Sequence, residues 1–229
     1  MSTPTPVLLP GSGLGSWIWE EADIPGALAI DHPDSVRAGG SVDDYAAGVV
    51  RQVDAAGVDR VVLVGHSIGT VVAHAAAARL GPRADGVLAV AGVVPKPGKG
   101  FFAAFGFPQS LIAGLIVRFA GTRPPESMLR KGLAAGLDQE TADRVVESFT
   151  PESQRLFRDG LVPLDPAVRR GYLTTTADPE VPPKLQAVFA DRLGASYQAE
   201  LATGHLPMLQ DPTGTRDAVL GFCREGRAH

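Results

Sequence analysis

The segment at residues 61–80 places a serine between two glycines, at the point where a strand pattern changes into a helix pattern. It reads VVLVGHSIGTVVAHAAAARL, with apolar and β-branched residues before Gly65 and a run of small residues after Gly69. A Gly-x-Ser-x-Gly sequence between a strand and a helix predicts a strained turn that exposes the serine hydroxyl at a sheet edge. We therefore expect Ser67 to be a nucleophile. The alternative interpretation is a glycine-rich turn with an incidental serine.

Apolar runs alternate with helical patterns along most of the chain, as in a parallel sheet covered by helices on both faces. A capping box formed by Ser41 and Asp44 predicts the start of one helix. The predicted strands cover residues 6–9, 27–30, 60–64, 86–94, 171–176 and 196–201. The predicted helices cover residues 41–56, 68–80 and 184–193, and a closing helix begins near residue 213. These patterns predict an α/β fold.

The alternation breaks between residues 95 and 166, where no convincing strand is present and helical segments are predicted at 103–119 and 141–149. An insertion between two strand–helix units of a parallel sheet is expected to lie over the carboxyl ends of the strands. We therefore predict a core formed by residues 1–94 and 167–229. Residues 95–166 would form a cap, or lid, over the sheet edge that carries Ser67.

A serine hydroxyl is a weak nucleophile and needs a base that a carboxylate holds in place. His205 follows the last predicted strand, and Asp178 follows the strand before it, so both are expected at the same sheet edge as Ser67. Glu180 is the fallback acid. The structural alternatives are that His205 is an ordinary surface histidine and that Asp178 is a turn residue ahead of Pro179. Four histidines are less well placed to serve as the base: His32, His66, His74 and His229.

Acyl transfer also needs donors for the negative charge that develops on the carbonyl oxygen, usually two backbone N–H groups. The Ile68 N–H follows the predicted nucleophile at a helix N-terminus. The Ser12 N–H lies in the glycine-rich loop after the first strand, residues 10–17. A dinucleotide site in this loop is disfavoured, because its glycines do not have the spacing of that fingerprint.

Composition and charge exclude other classes of protein. The 229 residues carry a net charge of −4 and give a pI of about 5.7, so no basic surface for nucleic acid is expected. No run of about 18 uncharged apolar residues indicates a membrane span. The first residues lack a signal-peptide pattern, and Cys223 is the single cysteine. We expect a cytoplasmic protein that needs no metal or organic cofactor.

Five motifs resemble those of α/β-hydrolases, and within them the compact, capped branch that contains plant methyl-ester esterases and hydroxynitrile lyases. In chain order they are LLPGSGLGSWIWE, VVLVGHSIG, FTPES, TTADPEVPPKLQ and TGHLPMLQDP. The resemblance spans most of the chain and implies the α/β-hydrolase fold. It also implies Ser67, Asp178 and His205 as a catalytic triad, with Ser12 and Ile68 as oxyanion donors.

The sequence departs from this branch at three positions. Pro10 stands where the usual His-Gly pair has a histidine that supports the glycine-rich loop. Lyase members carry a threonine at the position of Gly11 and a lysine at the position of Leu206. Because a cyanide leaving group would have no nearby cation, hydroxynitrile cleavage is not expected.

Apolar residues of the cap predict an apolar cleft, although residues at such spacing more often form the packed face of a helix. The candidate pocket residues are Trp17, Phe102, Phe105, Leu111 and Leu206. We therefore expect hydrolysis of a small hydrophobic ester, thioester or lactone through an acyl-enzyme. One alternative is a lyase, cyclase or decarboxylase of a natural product that uses His205 as acid or base. Another is a non-catalytic ligand-binding protein. The oligomeric state is left open.

Overall fold

Within the residues that the structure describes, six parallel strands form one sheet in the order β2-β1-β3-β4-β5-β6. The structure is a computed structural model that describes residues 3–106 and 109–225, so Phe107 and Pro108 of the predicted helical segment and His229 lie outside the described residues. The sheet confirms the predicted parallel α/β arrangement. Its strands are β1 (Thr5–Leu9), β2 (Leu28–Ala29), β3 (Val61–His66), β4 (Ala84–Val90), β5 (Arg169–Thr175) and β6 (Tyr197–Leu201).

Helices connect these strands. The predicted capping box is confirmed, because the Asp44 N–H donates to Ser41 Oγ (3.1 Å) and the Ser41 N–H donates to Asp44 Oδ2 (2.8 Å). Short 3₁₀ helices cover Ser16–Trp19, Gly81–Arg83 and Phe101–Phe105. The α-helices are α1 (Asp34–Arg37), α2 (Val42–Ala55), α3 (Gly69–Leu80), α4 (Gln109–Ala120), α5 (Glu126–Lys131), α6 (Gln139–Ser148), α7 (Gln154–Arg158), α8 (Pro183–Leu193), α9 (Pro207–Gln210) and α10 (Pro212–Glu225).

Two apolar clusters pack on the two faces of the sheet, because successive side chains of a strand point to opposite sides. Leu63 and Val87 belong to the first cluster, together with buried residues of α2, α3 and α8. Val64 and Leu88 belong to the second cluster, together with Phe222 of α10 and buried residues of α6. Both faces of the sheet are therefore covered, as the unalternated apolar strands predict.

The structure corrects the end of one predicted strand. β4 ends at Val90, four positions before the predicted end at residue 94. Ala91 has a φ of 44°, which turns the chain away from the sheet, yet Val93 and Val94 remain buried. Apolar character therefore continues past the last hydrogen-bonded residue of the strand. The sequence pattern records burial and could not locate that end.

Short elements were predicted poorly. The strand expected at residues 27–30 has only the two residues of β2. The helices α1, α5, α7 and α9 have four to six residues each and were not predicted. Segments of this length contain too few turns to show a periodic apolar pattern.

The segment between β4 and β5 leaves and returns at one place. Pro97 and Leu161 form an isolated parallel bridge. The Gly98 N–H donates to the Leu161 carbonyl (3.0 Å), and the Leu161 N–H donates to the Lys99 carbonyl (3.0 Å). Within the described part of this segment the elements are helical, and the division of the chain into core and cap stays a prediction. No helix in the described ranges combines the length and apolar character that a membrane crossing requires.

Candidate active site

Ser67 lies in the turn between β3 and α3 with a backbone φ of 52°, in the left-handed region that non-glycine residues rarely adopt. Its N–H donates to the Val90 carbonyl at the end of β4 (3.0 Å). Its carbonyl oxygen accepts from the N–H groups of Thr70 and Val93, each at 3.2 Å. These bonds on both sides of the residue hold the strained conformation. The strained turn predicted from the sequence is confirmed.

The two glycines of the turn are required because backbone packs against them. A Cβ on Gly65 would lie 2.6 Å from the backbone nitrogen of Thr70. A Cβ on Gly69 would lie 2.6 Å from the carbonyl oxygen of Pro10. Any larger residue at either position would have to displace the first turn of α3 or the chain leaving β1. The pattern of glycines around the serine therefore has a steric cause.

The glycine-rich loop after β1 lies directly against the serine. A Cβ on Gly11 would lie 2.6 Å from Nδ1 of His66 and 3.3 Å from Cβ of Ser67. Within the described residues, neither the Ser12 N–H nor the Ile68 N–H donates a hydrogen bond. Both backbone donors are therefore available to an acceptor supplied by a ligand.

His205 and Asp178 meet at the carboxyl ends of β5 and β6. Nδ1 of His205 lies 2.7 Å from Oδ2 of Asp178, and the two residues are only 3% and 4% exposed. Glu180, the fallback acid, is exposed, and its backbone N–H donates to Oδ1 of Asp178 (2.8 Å). The structure therefore pairs His205 with Asp178, while Glu180 contributes a backbone donor.

A network of short-range hydrogen bonds surrounds the Asp178 carboxylate. The Thr175 hydroxyl donates to Oδ2 (2.9 Å), and the Val181 N–H donates to Oδ1 (3.0 Å). The buried Gln186 amide donates to Oδ2 (3.3 Å) and also bonds both backbone groups of Thr175 (3.0 Å each). Thr175 and Gln186 are not among the site residues predicted from the sequence. The available signal was that Gln186 occupies a position at helical spacing from the buried apolar residues Phe189, Ala190 and Leu193.

The protonation states follow from these contacts. Burial by itself would raise the pKa of Asp178, but the hydrogen bond and charge of His205, with the N–H of Val181 and the hydroxyl of Thr175, hold that pKa below its usual value. An ionised carboxylate accepts the Nδ1–H of His205. In the neutral imidazole, Nε2 then carries the lone pair and can accept a proton.

His66 connects the serine turn to His205. Its Nε2 lies 2.8 Å from the His205 carbonyl oxygen, and the two ring centroids are 4.8 Å apart. Burial, and then the neighbouring His205, lower the pKa of His66 to about 3, so its neutral ring donates through Nε2–H. Ser67 itself is 9% exposed. Within the described residues, no hydrogen bond joins the Ser67 hydroxyl to His205. The serine turn contacts His205 through the preceding residue, His66.

The structure does not bring the five candidate pocket residues to one wall. Trp17 and Leu206 belong to the apolar cluster on the α10 side of the sheet, where Leu206 is fully buried. Phe102 and Phe105 pack on the other cluster, where Phe102 stacks on Phe157 with ring centroids 5.3 Å apart. Leu111 on α4 is 55% exposed. The pocket therefore stays a prediction.

Solved structures with a similar fold cover nearly the whole chain. One is an extracellular alpha/beta-hydrolase from a Paenibacillus species, described as sharing structural and functional homology with tobacco salicylic acid binding protein 2. It has a TM-score of 0.81 and 18% identity over 95% of this chain and 98% of that chain. A mutant of polyneuridine aldehyde esterase gives a TM-score of 0.78 and 18% identity over 96% and 99%. A tomato methylketone synthase I variant complexed with beta-ketoheptanoate gives 0.76 and 14% over 99% and 99%.

These structural likenesses establish the fold, which is the one predicted from the motifs. The cytoplasmic location stays a prediction, and the Paenibacillus protein is described as extracellular. A search of curated proteins gives no match to this sequence. The sequence model of the alpha/beta hydrolase family matches residues 7–218, which is most of the chain. With the sheet, the strained serine turn and the family match in agreement, this chain belongs to the alpha/beta hydrolase family.

Proposed function

We propose that the protein is a serine hydrolase that cleaves a hydrophobic carboxylic ester, thioester or lactone through an acyl-enzyme on Ser67. The observation that carries this proposal is the buried hydrogen bond between His205 and Asp178, made beside a serine held at positive φ. Buried polar groups in such an arrangement are costly unless they are paired, and they cluster at catalytic sites. The coarser statement, membership in a family of hydrolases, rests on the family match.

In the proposed reaction, Nε2 of His205 takes the proton of the Ser67 hydroxyl while the oxygen attacks the carbonyl carbon of the substrate. The negative charge on the carbonyl oxygen is stabilised by the N–H groups of Ser12 and Ile68. The tetrahedral intermediate collapses as His205 gives its proton to the departing oxygen or sulfur, so that an alcohol or thiol leaves, or, for a lactone, a hydroxyl group forms on the bound acyl chain. Water then attacks the acyl-enzyme and gives a proton to His205. Collapse of the second intermediate breaks the bond to Ser67 Oγ, which takes the proton back from His205, and releases the acid.

His205 acts as a base and as an acid in the proposed reaction, and its contacts support both roles. The carboxylate of Asp178 fixes the tautomer that has a lone pair on Nε2 and stabilises the imidazolium that forms. The His66 Nε2–H on the carbonyl oxygen of His205 holds the backbone of the base next to the serine turn. Formation of the Ser67–His205 hydrogen bond requires side-chain adjustment on substrate binding, and catalytic hydrogen bonds are often long in unliganded enzymes.

We also propose that residues 95–166 form a cap that supplies apolar surface to the substrate. Support comes from the joined ends of this segment at Pro97 and Leu161. It also comes from Phe149, which packs in the same apolar cluster as Leu206, the neighbour of the proposed base. The backbone N–H of Thr150 donates to the Gly13 carbonyl (2.9 Å), so this segment reaches the glycine-rich loop. A hydrophobic acyl group fits such surroundings.

The proposal is tested by comparing Ser67→Ala with Ser196→Ala, because Ser196 is an exposed serine between α8 and β6. On a panel of chromogenic esters of increasing acyl length, Ser67→Ala should lose at least about 10⁴-fold in kcat. The Ser196→Ala variant should match the wild type. Retained turnover in folded Ser67→Ala protein would refute the assignment.

A second candidate is a lyase or decarboxylase that uses His205 as acid or base without an acyl-enzyme. It is favoured by one observation, that the buried pair of His205 and Asp178 can serve as an acid or base without a serine nucleophile. The tomato synthase crystallised with a beta-ketoacid has a similar fold, which adds a substrate class worth testing. For this candidate, His205→Ala would abolish turnover of a beta-ketoacid while Ser67→Ala would retain it.

A further inference from the structure

The buried carboxylate of Glu152 does not belong to the proposed triad and takes part in no step of the proposed reaction. It belongs to the segment between α6 and α7, and its side chain is only 1% exposed. A charge buried to this extent is costly unless ion pairs and hydrogen bonds compensate for it. Its partners therefore indicate what the charge stabilises.

Among the described residues, the Glu152 carboxylate accepts three hydrogen bonds, which lead to two parts of the molecule. Oε1 accepts the backbone N–H of Gly13 (3.1 Å) and an N–H of the Arg37 guanidinium. Oε2 accepts the hydroxyl of Tyr45 (2.6 Å). Arg37 in turn donates to the carbonyl oxygen of Leu14 (2.8 Å). One carboxylate thus holds the glycine-rich loop directly and, through Arg37, a second time.

The loop has limited internal support: the Leu14 N–H donates to the Gly11 carbonyl (3.2 Å), but its residues offer few other groups that could hold it. Pro10 has no backbone N–H, and the glycines have no side chains to pack. Gly13 has a φ of 76°, and a Cβ there would lie 2.3 Å from the ring of Phe149. Its carbonyl oxygen also accepts from the N–H of Thr150 (2.9 Å). Residues 149–152 therefore contact the loop through a ring, a backbone donor and a carboxylate.

We infer that Glu152 is a positioning residue for the oxyanion site, holding Gly13 and Leu14 so that the preceding Ser12 N–H stays directed at the reacting carbonyl. This inference rests on the proposed function. Its physical basis is that a hydrogen bond to an ionised acceptor is about twice as strong as one between neutral groups. Loss of one oxyanion donor costs about 10²–10³ in rate, so a loosened loop should affect kcat.

The test compares Glu152→Leu, Glu152→Gln and Tyr45→Phe in the full chain. Glu152→Leu removes the acceptor for Gly13, whereas Glu152→Gln keeps one neutral oxygen for it. Tyr45→Phe removes a partner of the same carboxylate on the side away from the loop. We expect kcat on a chromogenic ester to fall about 100-fold in Glu152→Leu and about tenfold in Glu152→Gln, with KM changed less than about threefold. Tyr45→Phe should stay within about twofold of the wild type.

If the variants lost activity only because they were less stable, their losses of kcat would follow their unfolding temperatures. Thermal unfolding is therefore measured alongside, and equal falls in kcat for Tyr45→Phe and Glu152→Gln, matched to their unfolding temperatures, would overturn the inference. Wild-type kcat in folded Glu152→Gln and Glu152→Leu would overturn it as well.

Amide hydrogen exchange makes the test independent of the substrate. In Glu152→Gln, a peptide covering residues 11–15 should exchange at least tenfold faster than in the wild type, and Tyr45→Phe should leave it unchanged. Unchanged exchange in Glu152→Gln would refute the inference that Glu152 holds the glycine-rich loop. If the wild-type protein hydrolyses no ester and forms no acyl adduct, the proposed function fails, while the exchange result still decides whether Glu152 holds the loop.

Discussion

Two loops at the carboxyl edge of the sheet are held in different ways. The loop that carries Asp178 is stabilised by residues within eight positions of it, through bonds from Thr175, Val181 and Gln186. The glycine-rich loop is instead held by Glu152, which lies 139 positions from Gly13. The first loop can adopt its shape as one local unit. The second loop has a local contact from Ser16 to Asp31, but its Gly13 is held by the segment between β4 and β5, so the two halves of the proposed site depend on different parts of the fold.

The largest expected effect comes from a change in the loop that carries Asp178. In Asp178→Asn, the amide favours the wrong tautomer of His205, and kcat on a chromogenic ester should fall by about 10⁴. Steady-state hydrolysis at neutral pH measures this. Glu180→Gln tests the fallback acid and should lose less than about tenfold, because Nδ1 of His205 pairs with Asp178, whereas Glu180 acts on the ring only through its charge. A comparable loss in both variants would show that the acid has been misassigned.

The glycine-rich loop, which distant residues hold in place, is tested with Gly13→Ala, and Gly26→Ala is the matched control. Both glycines have positive φ, 76° and 69°, but only a Cβ on Gly13 meets another residue, the ring of Phe149. Backbone strain alone should cost about 1–2 kcal/mol of unfolding free energy in each variant. Gly13→Ala should in addition lose about 100-fold in kcat. Equal kcat in the two variants would contradict the claim that the loop's position matters.

The local half and the turn at Ser67 could largely be predicted from the sequence. The strand, the two glycines and the helix that surround Ser67 are contiguous, and Asp178 and His205 each follow a strand. Parallel topology then places them at one edge of the sheet. Gln186 is a polar residue on the buried face of α8, and only the tertiary structure shows that it bonds Thr175 and Asp178.

The rest could not be predicted for physical reasons. A contact between Glu152 and Gly13 depends on how the whole segment between β4 and β5 folds back, and a single sequence holds no periodic signal for such a pairing. The end of β4 shows the same limitation on a smaller scale, since Val93 is buried whether or not it belongs to the strand. Patterns of apolar residues indicate burial, while hydrogen-bond partners depend on tertiary structure.

The smallest expected effect concerns the pH dependence of stability, which three buried histidines are expected to cause. Burial is the main cause that lowers the pKa values of His32, His66 and His74, to about 4, 3 and 4. As pH falls below about 6.5, these histidines bind protons in the unfolded chain but stay neutral in the folded chain, so the free energy of unfolding should fall. Each histidine contributes up to about 1.4 kcal/mol per pH unit, and the effect should be absent above pH 7.

Urea unfolding between pH 7 and pH 4.5 measures this slope. His74→Asn is the control variant, because the asparagine amide can replace the Nδ1–H that contacts the Val162 carbonyl (3.0 Å) without titrating. It should reduce the acid loss by about one third and leave kcat unchanged, since His74 lies away from both loops. Unfolding free energy that does not vary over this pH range would contradict the neutral, buried state of these rings.

The central claim, that the Ser67 hydroxyl is activated by His205, is tested most directly with a fluorophosphonate. The wild-type protein is treated with the reagent, digested and mapped by peptide mass spectrometry, in parallel with His205→Ala. The account predicts one adduct, on Ser67, formed at least about 10³-fold more slowly in His205→Ala. A folded wild-type protein that acquires no adduct, or acquires it on another serine, would contradict the account.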